Sequence, residues 1–262
     1  LTESCAGSDA AGIKSTVVPA DDGGWILNGG KAWITNSGVA DYYIILAKTD
    51  PAAGNKGISA FIVPKDAEGL TIGKFEDKMG MRGSATCELS FDNIHLPADA
   101  LLGSLGMGFK MAMQALDGAR ISIGAIAAGL AEHAMTIAKN YANERTAFGK
   151  PIGRQQLNQL KVAEMAIKLK NMKNMLYETA WEADNNNGKF DPGAAAMCKY
   201  YCANAAFEVV DDAMQILAGV AVAGEHRIQR IWRDLRVDRV SGGTDEMMIL
   251  TASKFELKKF RD

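Results

Sequence analysis

The sequence is poor in the residues that most often build metal centres and covalent staples. Among 262 residues there are three histidines and four cysteines. His95, His133 and His226 lie far apart, so a histidine-based metal site is not expected. Cys5, Cys87, Cys198 and Cys202 show no metal-ligand spacing. Cys198 and Cys202 are four residues apart on a helical pattern, where small buried thiols are expected. No excess charge of one sign exists. Lysine plus arginine number 29 and aspartate plus glutamate 31, a formal charge of -2, which gives no electrostatic reason for nucleic-acid binding. No uninterrupted apolar run reaches the ~20 residues of a membrane span. The nearest, "ISIGAIAAGLAEHAM", is broken by Glu132 and His133, so membrane insertion is not expected and a cytoplasmic protein is. At 48% hydrophobic and 23% charged residues, the chain can bury real cores in about two domains. It starts at Leu1 without a lead-in strand and reads as the remainder of a longer protein.

What is present divides by periodicity. Residues 1–105 read as β. In "SATCELSFD" the residues Ala85, Cys87, Leu89 and Phe91 alternate with Thr86, Glu88, Ser90 and Asp92. "YYIILAKT" and "GISAFIVPK" are further strands, and "WILNGGKAWIT" predicts two short strands joined by a turn at Asn28-Gly29-Gly30. Together they predict an antiparallel sheet, packed on another layer or folded into a barrel. Residues 106–262 change to a helical period, with helices expected at about 110–145, 153–186, 192–218 and 244–260 and a short piece near 226–236. One apolar face runs through Val162, Met165, Leu169, Met172, Leu176 and Ala180. A second runs through Cys198, Tyr201, Ala205, Val209, Ala213 and Ile216. Asp191 caps the second, with Pro192 at its first turn. Long helices with short loops predict an antiparallel bundle. The thirteen methionines are read as gap-filling core residues.

Two stretches carry a specific resemblance. "LTESCAGSDAAG" resembles the first signature of the acyl-CoA dehydrogenase family, and "QILAGVAVAGEHRIQRIWRDLRVDRVSGGTDE" its second. "KAWITNSG", "DNIHLPADALLG" and "ERTAFGKPI" stand in the same order and spacing. The resemblance spans essentially the whole chain. It implies an α+β fold of a middle β domain (1–105) and a C-terminal four-helix bundle domain (106–262). The family's N-terminal helical domain is absent from this sequence. The C-terminal half resembles crotonobetainyl-CoA reductase, and the β half resembles short-chain, butyryl-type dehydrogenases.

Several roles follow from the resemblance alone. It implies FAD, an acyl-CoA or enoyl-CoA substrate, electron exchange with an electron-transferring flavoprotein, and a homo-oligomer, dimeric or tetrameric. Thr2, Gly7 and Ser8 match a flavin-binding segment, and Ser8 also a substrate contact. Trp33, Ile34 and Thr35 match residues lining the flavin ring; without the motif, Trp33 reads first as a strand core residue. Arg145, Phe148 and Gln156 match residues gripping the FAD of a neighbouring subunit. Gln215 and Gly219 match adenine-side contacts, with Ala218 replacing the first of two customary glycines. Thr244 and Glu246 match cofactor contacts at a helix N-terminus, where the dipole favours anions, though Glu246 reads almost equally as a solvated first-turn acid. Asp117 and Arg120 match residues near the coenzyme A nucleotide, or are a pair of solvated charges. Gly243 matches a backbone contact to the thioester.

The catalytic base is missing from both of its customary places. The family glutamate that removes the α-proton precedes Gly-Thr, where this chain has Gly242. Some branches carry it just before the helix arginine, where this chain has Ala119. Three readings follow: an enoyl-CoA reductase that takes its α-proton from water or an unassigned acid, a base supplied by the N-terminal domain, or a non-catalytic relative. Asp245 is a weaker candidate base, and an oxidase a weaker activity.

Overall fold

The computed structural model describes residues 1–259. Two compact units emerge, one of Leu1–Lys78 with Arg82–Ala115, the other of Met79–Met81 with the chain from Leu116 onward.

The first unit is built on a seven-stranded sheet of order β5-β6-β2-β1-β3-β4-β7. Its strands are β1 (Thr16–Pro19), β2 (Trp25–Thr35), β3 (Tyr42–Lys48), β4 (Ile58–Pro64), β5 (Leu70–Ile72), β6 (Thr86–Leu96) and β7 (Leu101–Leu102). The alternation read in the sequence holds along β6 from Cys87, where Cys87, Leu89 and Phe91 are buried and Glu88, Ser90 and Asp92 exposed, with Ile94 and Leu96 buried beyond; Thr86, expected on the polar face, is buried instead. Leu89, Phe91, Ile94 and Leu96 join Leu27, Ile45, Phe61 and Val63 in one core. Trp25 meets Phe61 edge-to-face at 5.4 Å.

Two expectations are corrected. The sheet is mixed, because β1 pairs with β3 in parallel through Thr16 and Lys48. One edge of β2 is taken by β1 and the other by β6, so β3 must use the free edge of β1. "WILNGGKAWIT" is one continuous strand of 11 residues, not a hairpin. Gly29 lies at φ +129, and a Cβ there would stand 2.7 Å from the Ser15 Cα, so the glycine answers a close approach of backbone and a bulge against β6. The turn lies instead at Ala20–Gly24, ahead of β2, with Gly23 at φ +86.

The second unit is helical. Its helices are α1 (Gly108–Glu144, whose first turns belong to the first unit), α2 (Gln156–Asp184), α3 (Pro192–Leu217), α4 (Arg227–Asp238) and α5 (Asp245–Lys258). Asp191 accepts from the Ala194 N–H at 2.7 Å, the expected cap with Pro192 at the first position. Small residues on α1 (Ala127, Ala131, Ala134, Ala138) pack with Met165, Leu169 and Met172 of α2 and with Cys198, Cys202 and Val209 of α3. Cys198 and Cys202 are free, fully buried thiols. By length and composition alone, α1, at 37 residues, is long and apolar enough to cross a membrane. Its buried alanines face the bundle core, and Glu132 pairs with Lys173 of α2 at 2.7 Å.

Candidate functional site

In the first unit the opening segment is clamped to β2. The Thr2 carbonyl accepts from the Ala32 N–H at 2.9 Å. The buried Glu3 carboxylate receives Lys31 Nζ at 2.6 Å, Ser15 Oγ at 2.7 Å and the Lys14 N–H at 2.6 Å. Burial pushes this carboxyl up, but the bonds from Lys31, Ser15 and two backbone N–H groups outweigh it and hold it at about 2. Gly7 and Ser8 are exposed beyond the clamp, and a Cβ on Gly7 would meet open space.

The clamp leads directly to an irregularity. Register slips between Lys31 and Ile34, and Trp33 sits in the slip at φ +60 with 62% of its surface exposed. A left-handed tryptophan costs about 1–2 kcal/mol. Such an indole is not a core residue, which removes the alternative reading of Trp33. Thr35 is exposed and Ile34 half-buried next to it. Ile34 and Thr35 line a pocket with Leu1, Asn36 and Tyr42.

In the second unit the matched residues fall into two groups, separated by the antiparallel run of the helices. Arg145 (end of α1), Phe148 (a loop at φ +52, 95% exposed), Gln156 (start of α2), Gln215 (end of α3) and Gly219 occupy one end of the bundle. All five are exposed. Ala218 sits at φ +53, the left-handed end of α3, where glycine is strain-free; this gives a conformational reason for the glycine customary there.

The other group surrounds the turn Gly242-Gly243, at φ +65 and +109, at the N-terminus of α5. Arg120 is buried. Its Nε donates to the Gly242 carbonyl at 3.1 Å and its Nη1 to Asp117 at 2.7 Å. Asp117 and Arg120 are therefore not solvated charges; they brace this turn. Burial pushes the Asp117 carboxyl up against the pull of Arg120. Thr244 caps α5 by accepting from the Met247 N–H at 3.4 Å, and Glu246 is exposed in the first turn. Asp245 is buried and bonded to Arg239 at 2.7 Å, while its other oxygen has no partner among the described residues. That commitment weakens its candidacy as a base.

Three residues around this turn were not singled out from the sequence. Lys199 of α3 is fully buried and donates to the Gly243 carbonyl at 2.7 Å. Burial pulls its ammonium down to about 8, against the attraction of Asp245 and Asp238. Asp238 is buried at the end of α4, and desolvation raises its carboxyl to about 6. Ile123 lies where a side chain on Gly242 would project: an added Cβ would meet its Cδ1 at 2.8 Å. The available signal was a charge inside an apolar stripe, since Lys199 shares the buried face of Ala195, Cys202 and Ala206.

Asp238 yields a pH prediction. A carboxyl raised in the folded state binds protons there that the unfolded chain has released, so it lowers stability as pH rises from about 4 through 6. Asp238→Asn abolishes that loss. The stability difference, variant minus wild type, is expected to grow in the variant's favour by on the order of 2 kcal/mol between pH 4 and 7. Urea unfolding at the two pH values checks it, and a pH-independent difference would refute it.

Comparison with known proteins returns two family profiles in chain order. The acyl-CoA dehydrogenase middle domain matches residues 1–94, and the acyl-CoA dehydrogenase C-terminal domain matches residues 106–257. Among solved structures, butyryl-CoA dehydrogenase from Megasphaera elsdenii is 39% identical with a TM-score of 0.94, over 98% of this chain and 67% of its own. A chain from the structure of the electron transferring flavoprotein of Acidaminococcus fermentans is 40% identical with a TM-score of 0.94, again over 98% and 67%. PigA, solved with FAD and proline, is 31% identical with a TM-score of 0.93, over 98% and 67%.

Proposed function

Because this chain belongs to the acyl-CoA dehydrogenase family, we propose that it acts as part of an FAD-dependent oxidoreductase on the Cα–Cβ bond of a coenzyme A thioester. It spans 67% of the butyryl-CoA dehydrogenase it matches, so the activity is proposed for the whole protein.

The observation that carries the reading is Trp33. An exposed indole is held at an energetic cost in left-handed backbone beside an exposed hydroxyl, Thr35. That pairing suits an isoalloxazine ring: an aromatic plane to lie against it and a hydroxyl for its polar edge. Trp33, Ile34 and Thr35, with Thr2, Gly7 and Ser8, would hold the ring side of FAD. The relative PigA was solved with FAD. Thr244 and Glu246 would meet the cofactor at the start of α5. FAD, when bound, supplies two-electron exchange with the substrate's β-carbon.

The second unit would hold the thioester. Gly243 stands in a turn whose carbonyls are taken by buried cations, leaving amide N–H groups for a substrate oxygen; Asp117 and Arg120 brace that turn. Among the described residues, no carboxylate stands at either usual place of the base. Position 242 is glycine with Ile123 against it, position 119 is alanine, and Asp245 is bonded to Arg239. This favours enoyl-CoA reduction, in which Cα takes a proton from solvent and no base need remove one. A short acyl chain is supported by the similarity to butyryl-CoA dehydrogenase, and an electron-transferring flavoprotein as partner by the Acidaminococcus similarity.

The oligomer proposal rests on the resemblance, in which residues at the positions of Arg145, Phe148 and Gln156 grip the FAD of a neighbouring subunit. These three are assigned to the FAD of a second copy in a dimer or tetramer, and Gln215 and Gly219, exposed at the same end of the bundle, to an adenine side.

The full-length protein is expected to purify yellow. Its photoreduced flavin should be reoxidised anaerobically by crotonyl-CoA, and butyryl-CoA should bleach the oxidised flavin slowly. Colourless protein that cannot be loaded with FAD would end the reading. Bound flavin indifferent to both thioesters would favour a non-catalytic subunit.

A further inference from the structure

Lys199 has no part in the proposed chemistry, yet it is a fully buried lysine whose hydrogen bond goes to a backbone carbonyl. In a trans peptide the carbonyl of one residue and the N–H of the next point in opposite directions. The Lys199 bond to the Gly243 carbonyl therefore turns the Thr244 N–H away from the buried ammonium. The Arg120 bond to the Gly242 carbonyl turns the Gly243 N–H away in the same manner. Neither N–H has a hydrogen-bond partner among the described residues. With glycines at 242 and 243 in left-handed conformations, the turn would otherwise be free to rotate its peptides.

We propose that Lys199 is a positioning residue for thioester recognition: from the core side it holds the Gly243 carbonyl and so keeps consecutive amide donors, with Arg120's help, oriented for the carbonyl oxygen of a coenzyme A thioester. The proposal rests on the functional reading above. It differs from a stability role because it concerns one atom of the ligand. Removing Lys199 should weaken binding of ligands that carry the thioester oxygen and spare those that do not.

The groups around Lys199 make the effect dependent on pH. Asp245 of α5 and Asp238 of α4 favour its charge, whereas Arg120 of α1 (itself paired with Asp117) and Arg239, just after α4, oppose it. Its own helix adds the free thiols Cys198 and Cys202. With the ammonium at about 8, the charged donor is present at neutral pH and is lost as pH rises past that value. A neutral amine makes a weaker hydrogen bond than an ammonium.

The test uses the full-length, FAD-loaded protein and two ligands, butyryl-CoA and S-butyl-CoA, the thioether without the carbonyl oxygen. Binding is followed by calorimetry. In the wild type the thioester should bind more tightly at neutral pH, and this preference should fall about fivefold between about pH 7 and 9. Lys199→Met should lose about tenfold of the preference, with thioether affinity unchanged and no remaining dependence on pH. Lys199→Gln, a neutral donor, should fall between. The proposal is overturned if Lys199→Met keeps the wild-type preference, or if both ligands weaken alike. Should the variants not fold, the wild-type pH series decides alone, and a flat preference overturns the proposal. If the wild type binds neither ligand, the functional reading itself has failed.

Discussion

Ala119→Glu is expected to raise bleaching of the flavin by butyryl-CoA by about 10²–10⁴-fold, the usual worth of a general base. Gly242→Glu alone is expected to leave it at background. The two positions carry the same deficit but differ in room. Ala119 is exposed on α1, so a longer side chain meets no buried packing. At Gly242 the first added carbon meets the tip of Ile123 at 2.8 Å, and its φ of +65 disfavours any side chain by about 1 kcal/mol. The place of the family glutamate is thus filled by an aliphatic methyl and not simply vacated. Gly242→Glu combined with Ile123→Ala should recover part of the gain. Stopped-flow flavin absorbance under anaerobic conditions measures all three. Strong bleaching by Gly242→Glu with Ile123 intact would show that the filled-pocket argument is wrong.

Phe61→Ala should cost about 3–5 kcal/mol, a large part of the stability of a domain. Phe61 is fully buried on β4, opposite Ile45 of β3 and Leu101 of β7, with Trp25 against its ring at 5.4 Å. Truncation removes that contact and leaves a cavity the sheet cannot close. Tyr177→Ala is the matched control. Its side chain is 72% exposed, so the cost should stay within about 0.5 kcal/mol. Guanidinium unfolding followed by circular dichroism measures both costs. A Phe61→Ala cost below about 1 kcal/mol would remove Phe61 from the core.

How much was legible depends on whether the signal was local. The alternation in β6, the apolar stripes of α2 and α3, and the Asp191-Pro192 helix start were all readable, because apolar periodicity and capping act within a few residues. The glycine pair in β2 was misread for the opposite reason. Asn-Gly-Gly carries a strong turn preference, but the approach of Ser15 and the pairing with β6 hold Gly29 inside one long strand. The parallel β1–β3 pair was likewise invisible, since edge availability belongs to the sheet and not to either segment.

The site divides along the same line. Motif spacing alone marked Trp33, Arg120 and the Gly242-Gly243 turn, and it exposed the missing carboxylate, because those are statements about which residue types stand in order. Only the folded chain could bring Arg120 to the Gly242 carbonyl across 122 residues, and Lys199 to the Gly243 carbonyl across 44. The physical reason is burial. A lysine on an apolar stripe is an anomaly on paper; enclosure among α1, α4 and α5 lowers its proton affinity and makes its one carbonyl partner specific.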